Sequence, residues 1–408
     1  MCDELIPPSA DLTEQQWQNT GEAAGRPAPR RVGRRSLLGG AVAGAAALTL
    51  LPHAAQAATP PAGAALARTG SAGKFPLPSG PNSAGEFAVL VTGDAGTGAE
   101  EQYAVAAAAK EICREQEIGL ALGLGDNIYE NGPESDDDSE FGEKFETPNT
   151  GIDIPWLMVL GNHDCSGLIP GSGGDPSRGD REVAYARTSP RWYMPSRYYN
   201  VALGPEESPL VEFFALDSNP VASYVMQLDP YYQWDGQYMR EQREWLDASL
   251  SRSRARWKIV LSHHPYLNNG KHGSAGSYDG FTIGHYTSGV HLKELYEEVV
   301  CGRADMIMSG HDHTLQILEP TVRTSGTRPI VCGAAAKSGD GKAHFGHPAA
   351  WQNFSDRGFM VLKVTGAAMT LEAYTVDLAT RKARLAHRIR TTAPVGGTAV
   401  QGAPVAAS

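Results

Sequence analysis

Cysteine is scarce in this chain: there are five in 408 residues, and no two of them form a CxxC pair. That excludes a zinc knuckle and a dense disulfide framework. Strong apolar length is missing as well. A weakly apolar run from Leu37 to Leu51 is too short and too rich in Gly and Ala for a membrane span, which needs roughly 20 strongly apolar residues. Positive charge is the third shortage: 35 Lys and Arg face 46 Asp and Glu, the net charge is −11, and the basic residues do not cluster. Nucleic acid and anionic membranes, which demand clustered Lys and Arg, are therefore poor partners. What is left has globular composition, 41% hydrophobic and 20% charged, in one large domain or two ordinary ones, and suits small substrates.

The first residues stand apart. In "GRRSLLGGAVAGAAALTLLPHAAQAA" the pair Arg34 and Arg35 precedes the weak apolar run and an Ala55-Gln56-Ala57 cleavage site. This is the layout of a signal peptide over residues 1–57, of the twin-arginine type. The competing reading, a buried Ala-rich helix, is badly capped by Pro52 and the Ala/Pro/Gly stretch behind it. The expectation is a secreted or periplasmic, cell-envelope protein with no stable membrane anchor, handled by the twin-arginine machinery during export. Such signals resemble those of proteins that fold, and often load a metal, before crossing the membrane; the general export route is the alternative. Five acidic and five basic side chains in residues 1–57 cancel, so cleavage leaves the charge at −11. Cys113, Cys165, Cys301 and Cys332 remain, and outside the cell they allow zero, one or two disulfides.

Residues 58–84 are rich in Ala, Gly, Pro and Ser and read as a flexible linker. The fold is expected over residues 85–390, and the Pro, Gly and Ala rich tail 391–408 as disordered. "EFAVLVTGD", "IGLALGLGD", "IPWLMVLGNHD", "ARWKIVLSHHP" and "ADMIMSGHDH" are apolar runs that end in polar clusters, and helical stretches such as "EEQYAVAAAAKEICREQ" lie between them. Continuous apolar strands alternating with helices predict a largely buried α/β sheet with its site beyond the strand ends. After Arg328 the pattern turns to strands, which predicts a second sheet packed on the first. There is no internal repeat. Asp136 to Asp138 lie in a surface insertion, 131–151, without the ordered spacing of a calcium loop.

The strand ends offer Asp94, Asp126, Asn162, His263, His311 and His313, all capable metal ligands. Oxygen and nitrogen donors without thiolate suit Zn, Mn or Fe. Two such ions, held roughly 3.5–4 Å apart, can clamp a phosphoryl group and activate water. A single Gly-Asp after a strand is more often a turn, and a single His a satisfied core or surface residue. Five clusters, each closing its own strand, are not explained that way.

In order, "GDAG", "GDNIY", "GNHD", "SHHP" and "GHDH" resemble the signature of the calcineurin-like metallophosphoesterase superfamily, and more narrowly the purple acid phosphatases, from about Glu86 to Arg390. The resemblance implies a four-layer α/β/β/α sandwich with two mixed sheets. It implies that Asp94, Asp126, Tyr129 and His313 hold a ferric ion. Asp126 bridges to a second ion, Fe(II), Zn or Mn, on Asn162, His263 and His311. Tyr129 carries the narrower likeness, since in purple acid phosphatases a tyrosine there ligates iron and gives the colour; as a core aromatic it would instead tie its hydroxyl to a neighbour.

His163 and His272 match family positions that orient phosphate or protonate the leaving oxygen, a task suited to imidazole. His264 occupies a place that is often not histidine and is a candidate substrate contact. "SPRWYMPSRYYNVALG" reads as packing, with Tyr198 and Tyr199 at most lining the cleft. Cys165 needs no nucleophilic role where a metal-activated water is available. The implied activity is that of a secreted acid phosphatase hydrolysing small phosphomonoesters by attack of a metal-bound hydroxide. A metallophosphodiesterase on the same ligands is the alternative, and a non-hydrolytic iron-binding or redox protein the more distant one.

Overall fold

The computed structural model describes residues 75–223, 226–278, 289–392 and 394–395. The signal segment 1–57 and the linker as far as residue 74 lie outside them; residues 75–84 form turns and extended chain without helix or strand.

Two seven-stranded mixed sheets make the frame. The first contains β1 (Phe87–Thr92), β2 (Leu120–Gly123), β3 (Trp156–Met158), β4 (Trp192–Tyr193), β12 (Gly358–Val364), β13 (Met369–Asp377) and β14 (Lys382–Thr391), in the order β14-β13-β12-β1-β2-β3-β4. The second contains β5 (Tyr199–Leu203), β6 (Val211–Ala215), β7 (Trp257–Leu261), β8 (Met306–Ser309), β9 (Leu315–Leu318), β10 (Arg328–Cys332) and β11 (Ala349–Asn353), in the order β11-β9-β10-β8-β7-β6-β5. The expected sandwich is present. The strands after Arg328, however, do not form one sheet: β10 and β11 join β7 and β8, whereas β12 to β14 flank β1.

Side-chain alternation shows where the core lies. Phe213 in β6, Ile259 in β7 and Met306 and Met308 in β8 enter the core shared with Val89, Leu122 and Phe359 of the first sheet. Their neighbours Phe214, Val260 and Ile307 point the other way, into a second core with Tyr238, Met239 and Leu246 of helix Gln237–Arg252 and Leu292 and Leu295 of helix Val290–Leu295. Period 2 thus gives each strand of the second sheet one face toward the other sheet and one toward helices. Helix Glu100–Glu115 covers the first sheet with Val105, Ala108 and Ala109; Glu100 and Glu101 in its first turn and Arg114 in its last suit the helix dipole. β1, buried at every position, reads as a continuous apolar run because both its faces are covered.

Thr391 closes β14, and the backbone N–H of Val395 donates to Asp305 Oδ1 at 2.5 Å. Thr391, paired with Met369, and Val395, bound to Asp305, are thus held by the fold. Tyr199 is not at a cleft: its hydroxyl donates to the Met158 and Tyr193 carbonyls in the core, and Tyr198 packs against Tyr238 and Trp245. Cys113, Cys165, Cys301 and Cys332 are all free thiols. Among the described residues no helix is long and apolar enough to cross a membrane.

Candidate metal centre

The five motif-bearing strands divide between the sheets, β1, β2 and β3 in one and β7 and β8 in the other, and their ends meet at the junction. At three of these ends the chain turns through left-handed backbone, at Asp94 (φ 57°), Asp126 (φ 53°) and His311 (φ 68°). Non-glycine residues rarely adopt that conformation, and they tend to do so where a surrounding fold over-determines a site.

One group of donors surrounds the Tyr129 hydroxyl, which lies 3.1 Å from Asp94 Oδ1 and 3.2 Å from His313 Nε2. A second surrounds Asn162 Oδ1, which lies 2.9 Å from His263 Nε2 and 3.1 Å from His311 Nδ1. Asp126 stands between them, with Oδ1 3.3 Å from His263 Nε2, and Asp94, Asp126 and His263 offer donor atoms all within 4.8 Å of one another. Donors on one ion, bound at about 2.0–2.2 Å, sit roughly 3 Å apart. Both groups have that spacing.

The chemistry of the second group fits a cation closely. His263 Nδ1 faces the Leu124 carbonyl at 2.8 Å and so carries a hydrogen, which leaves Nε2 as a lone pair in the neutral ring. Asn162 donates its Nδ2 hydrogen to the Gly171 carbonyl at 2.9 Å, which turns Oδ1 inward. Lone pairs of His263, Asn162 and Asp126 therefore point at one another. Only a proton or a metal ion resolves that arrangement, and without metal the proton is retained: burial opposes it, yet Asp126 and Asp94 lift His263 to about 9.

The other groups respond to the same field. Burial pushes Asp94 up, with Asp126 adding to it and His263 opposing; Asp126, despite burial, is held well below the carboxylate range by His263, His163 and His311. Burial and the neighbouring Asp126 and Asp94 push the Tyr129 phenol well above its ordinary value. Burial keeps His311 neutral, as do His264 and His272, and it lowers His313 to about 3.

The structure thus brings together all seven ligand candidates. His163 donates its backbone N–H to Asp126 Oδ1 at 3.0 Å and directs Nδ1 to the Glu130 carbonyl at 2.6 Å. The His272 ring lies 4.9 Å from that of His311, and its backbone N–H donates to Asp312 Oδ2 at 2.9 Å. His264 is different: it is buried, 2% exposed, with Nδ1 2.8 Å from Ser218 Oγ and its ring 4.6 Å from that of His311.

Sequence reasoning passed over the supports. Asp164 accepts from the backbone of Asn127, Ile128 and Gly161, and Lys337 lies over the Tyr129 ring. Asp164 was visible as the last letter of "GNHD", whereas Lys337 belongs to no motif.

The comparisons with known proteins agree with this arrangement. The calcineurin-like phosphoesterase family model matches residues 87–315. Purple acid phosphatase 4 of Arabidopsis thaliana is 30% identical over 309 residues, 73% of this chain and 82% of that protein. Human tartrate-resistant acid phosphatase type 5 is 27% identical over 221 residues, 52% of this chain and 61% of that protein. Among solved structures, GAP50, the anchor in the inner membrane complex of Plasmodium, superposes with a TM-score of 0.59 at 17% identity, covering 76% of this chain and 89% of its own, which speaks for the fold alone. With more than half of its length matched and the motif residues gathered at one centre, the chain belongs to the calcineurin-like phosphoesterase family.

Proposed function

We propose that the protein is an exported acid phosphatase that hydrolyses small phosphate monoesters at a dinuclear metal centre. The observation that carries this reading is the pair of donor groups meeting at Asp126. Asp94, Asp126, Tyr129 and His313 would hold a ferric ion, and Asn162, His263 and His311, with Asp126 shared, an Fe(II), Zn or Mn ion. Bound there, the two ions supply Lewis acidity toward phosphate oxygens and lower the pKa of the attacking water. The raised phenol of Tyr129 favours a strongly acidic cation as its partner, because a weaker one leaves the proton in place. The relatives' names, purple acid phosphatase and tartrate-resistant acid phosphatase, support the same assignment.

The chain's own residues complete the site. With Nδ1–H of His163 donated to the Glu130 carbonyl, Nε2 is the nitrogen left to the site, and in the imidazolium form of the ring it carries the proton delivered to the leaving oxygen. His272, seated by Asp312, orients the phosphate beside His311 and His313. Burial holds His264 well below its ordinary value, and His263 adds to that effect, so His264 acts as a neutral ring that packs His311 rather than as an acid. The Ala-rich leader accounts for export.

The test is Asp126→Asn, assayed on p-nitrophenyl phosphate with metal content measured. Turnover is expected to fall by on the order of 10³-fold, since the metal ions contribute several kcal/mol of charge stabilisation. Unchanged turnover overturns the dinuclear mechanism. Faster hydrolysis of bis-p-nitrophenyl phosphate than of the monoester would make it a diesterase instead.

A further inference from the structure

Tyr129 is 2% exposed and sits among negative charge, close to both Asp94 and Asp126. A phenolate at that position is repelled from two sides. Among the described residues a lysine addresses its ring. Lys337, five residues beyond β10, places Nζ 3.5 Å from the Tyr129 ring centroid. The same ammonium lies 3.3 Å from Glu130 Oε1, the residue next in sequence to Tyr129. Glu130 in turn receives His163 Nδ1 on its carbonyl, and the His163 ring packs against Tyr129 at 4.4 Å between centroids. Lys144 also reaches this segment, but at the Tyr129 carbonyl, and it is paired with Glu140.

We propose that Lys337 is a positioning residue of the metal centre: its ammonium, laid on the ring of Tyr129 and tied to Glu130, stabilises the negative charge Tyr129 carries when it ligates a cation. This rests on the reading of Tyr129 as a ligand. A cation over an aromatic face, partly shielded from water, is attracted by the ring's electrons, and the attraction grows when the ring becomes an anion. The bound phenolate therefore gives less electron density to its ion, which remains the stronger Lewis acid. The contact with Glu130 fixes where the charge sits and couples it to the loop that carries His163.

The experiment is the visible spectrum of the iron-loaded full-length protein and three variants. Lys337→Met keeps an unbranched stem of similar length and removes only the charge. Its phenolate-to-iron band is expected to move to longer wavelength by on the order of 10 nm, the size of a cation–π contact expressed in the visible range. Lys337→Arg, which restores the charge, is expected to return the band to the parent position. Tyr129→Phe is expected to lose the band. A coloured parent whose band stays put in Lys337→Met overturns the proposal alone, as does an arginine variant that remains at the methionine position. A colourless iron-loaded parent, or a band that survives Tyr129→Phe, overturns Tyr129 as ligand and the proposal with it.

Discussion

Four hydrogen bonds from Asn127, Ile128 and Gly161 converge on the carboxylate of Asp164, which is not among the candidate ligands. Oδ1 accepts from the backbone N–H of Asn127 at 2.8 Å and of Ile128 at 2.9 Å, and Oδ2 from Gly161 N at 2.6 Å and Asn127 Nδ2 at 3.0 Å. One side chain thereby locks the Asp126–Tyr129 turn to the turn bearing Asn162 and His163. Asp164→Asn replaces one acceptor with a donor that faces other N–H groups. Metal affinity is expected to fall 10–100-fold, the usual cost of losing support behind a ligand, as read from a zinc titration of the apoprotein. An unchanged affinity would show that the two turns hold their geometry without it. The candidate ligands were legible in sequence because each has metal-binding chemistry and lies at or just beyond the end of an apolar run. Asp164 was legible only as a motif letter, since its value lies in backbone groups that a sequence does not display.

At the scale of elements, the strand ends are built so that carboxylates fit against bare backbone. A Cβ added at Gly161 would lie 2.1 Å from Asp126 Oδ1, and one at Gly310 would lie 2.4 Å from Asp94 Oδ2. Gly161→Ala must therefore displace Asp126. Overpacking of this kind costs about 1–3 kcal/mol, and the greater loss is expected in bound metal, measured as ions per chain beside the unfolding midpoint. Full occupancy in that variant would contradict the close approach. Strands β1, β2, β3, β7 and β8 could be read in sequence because burial on both faces makes them continuous apolar runs. β11, partly exposed along its whole length, and the two-residue β4 carry no such pattern; pairing, not local sequence, makes them strands.

For the whole molecule, the buried pair Asp94 and Asp126 ties stability to metal. Ions that bind only the folded state stabilise it by about 2.7 kcal/mol at a hundredfold excess over Kd. Stripping them with a chelator is expected to lower Tm by about 4 °C, with recovery on adding metal back. Asp305 sets a separate pH dependence where the C-terminal segment meets the second sheet. It accepts from Lys258 N and Val395 N, and burial raises it to about 6, those hydrogen bonds opposing. An unfolded aspartate titrates near 3.9, so the native state holds this proton more tightly. The stability Asp305 contributes is thus greatest below about pH 4 and is lost as pH rises through 6. Relative to Asp305→Asn, the parent is expected to weaken from pH 4 to pH 7 in urea unfolding, and a constant difference would refute it.

The amino-acid sequence by itself determined the set of candidate ligands, because buried strands announce themselves by continuous hydrophobicity and the residues that close them have donor chemistry, and it determined the reaction class through the family likeness of its five motifs. Only the tertiary structure decided how the motif-bearing strands divide between the two sheets and that His264 faces Ser218 in the interior. It alone set Lys337 on Tyr129. Sheet membership and second contacts depend on pairing between segments hundreds of residues apart, and a local pattern carries no record of its partner.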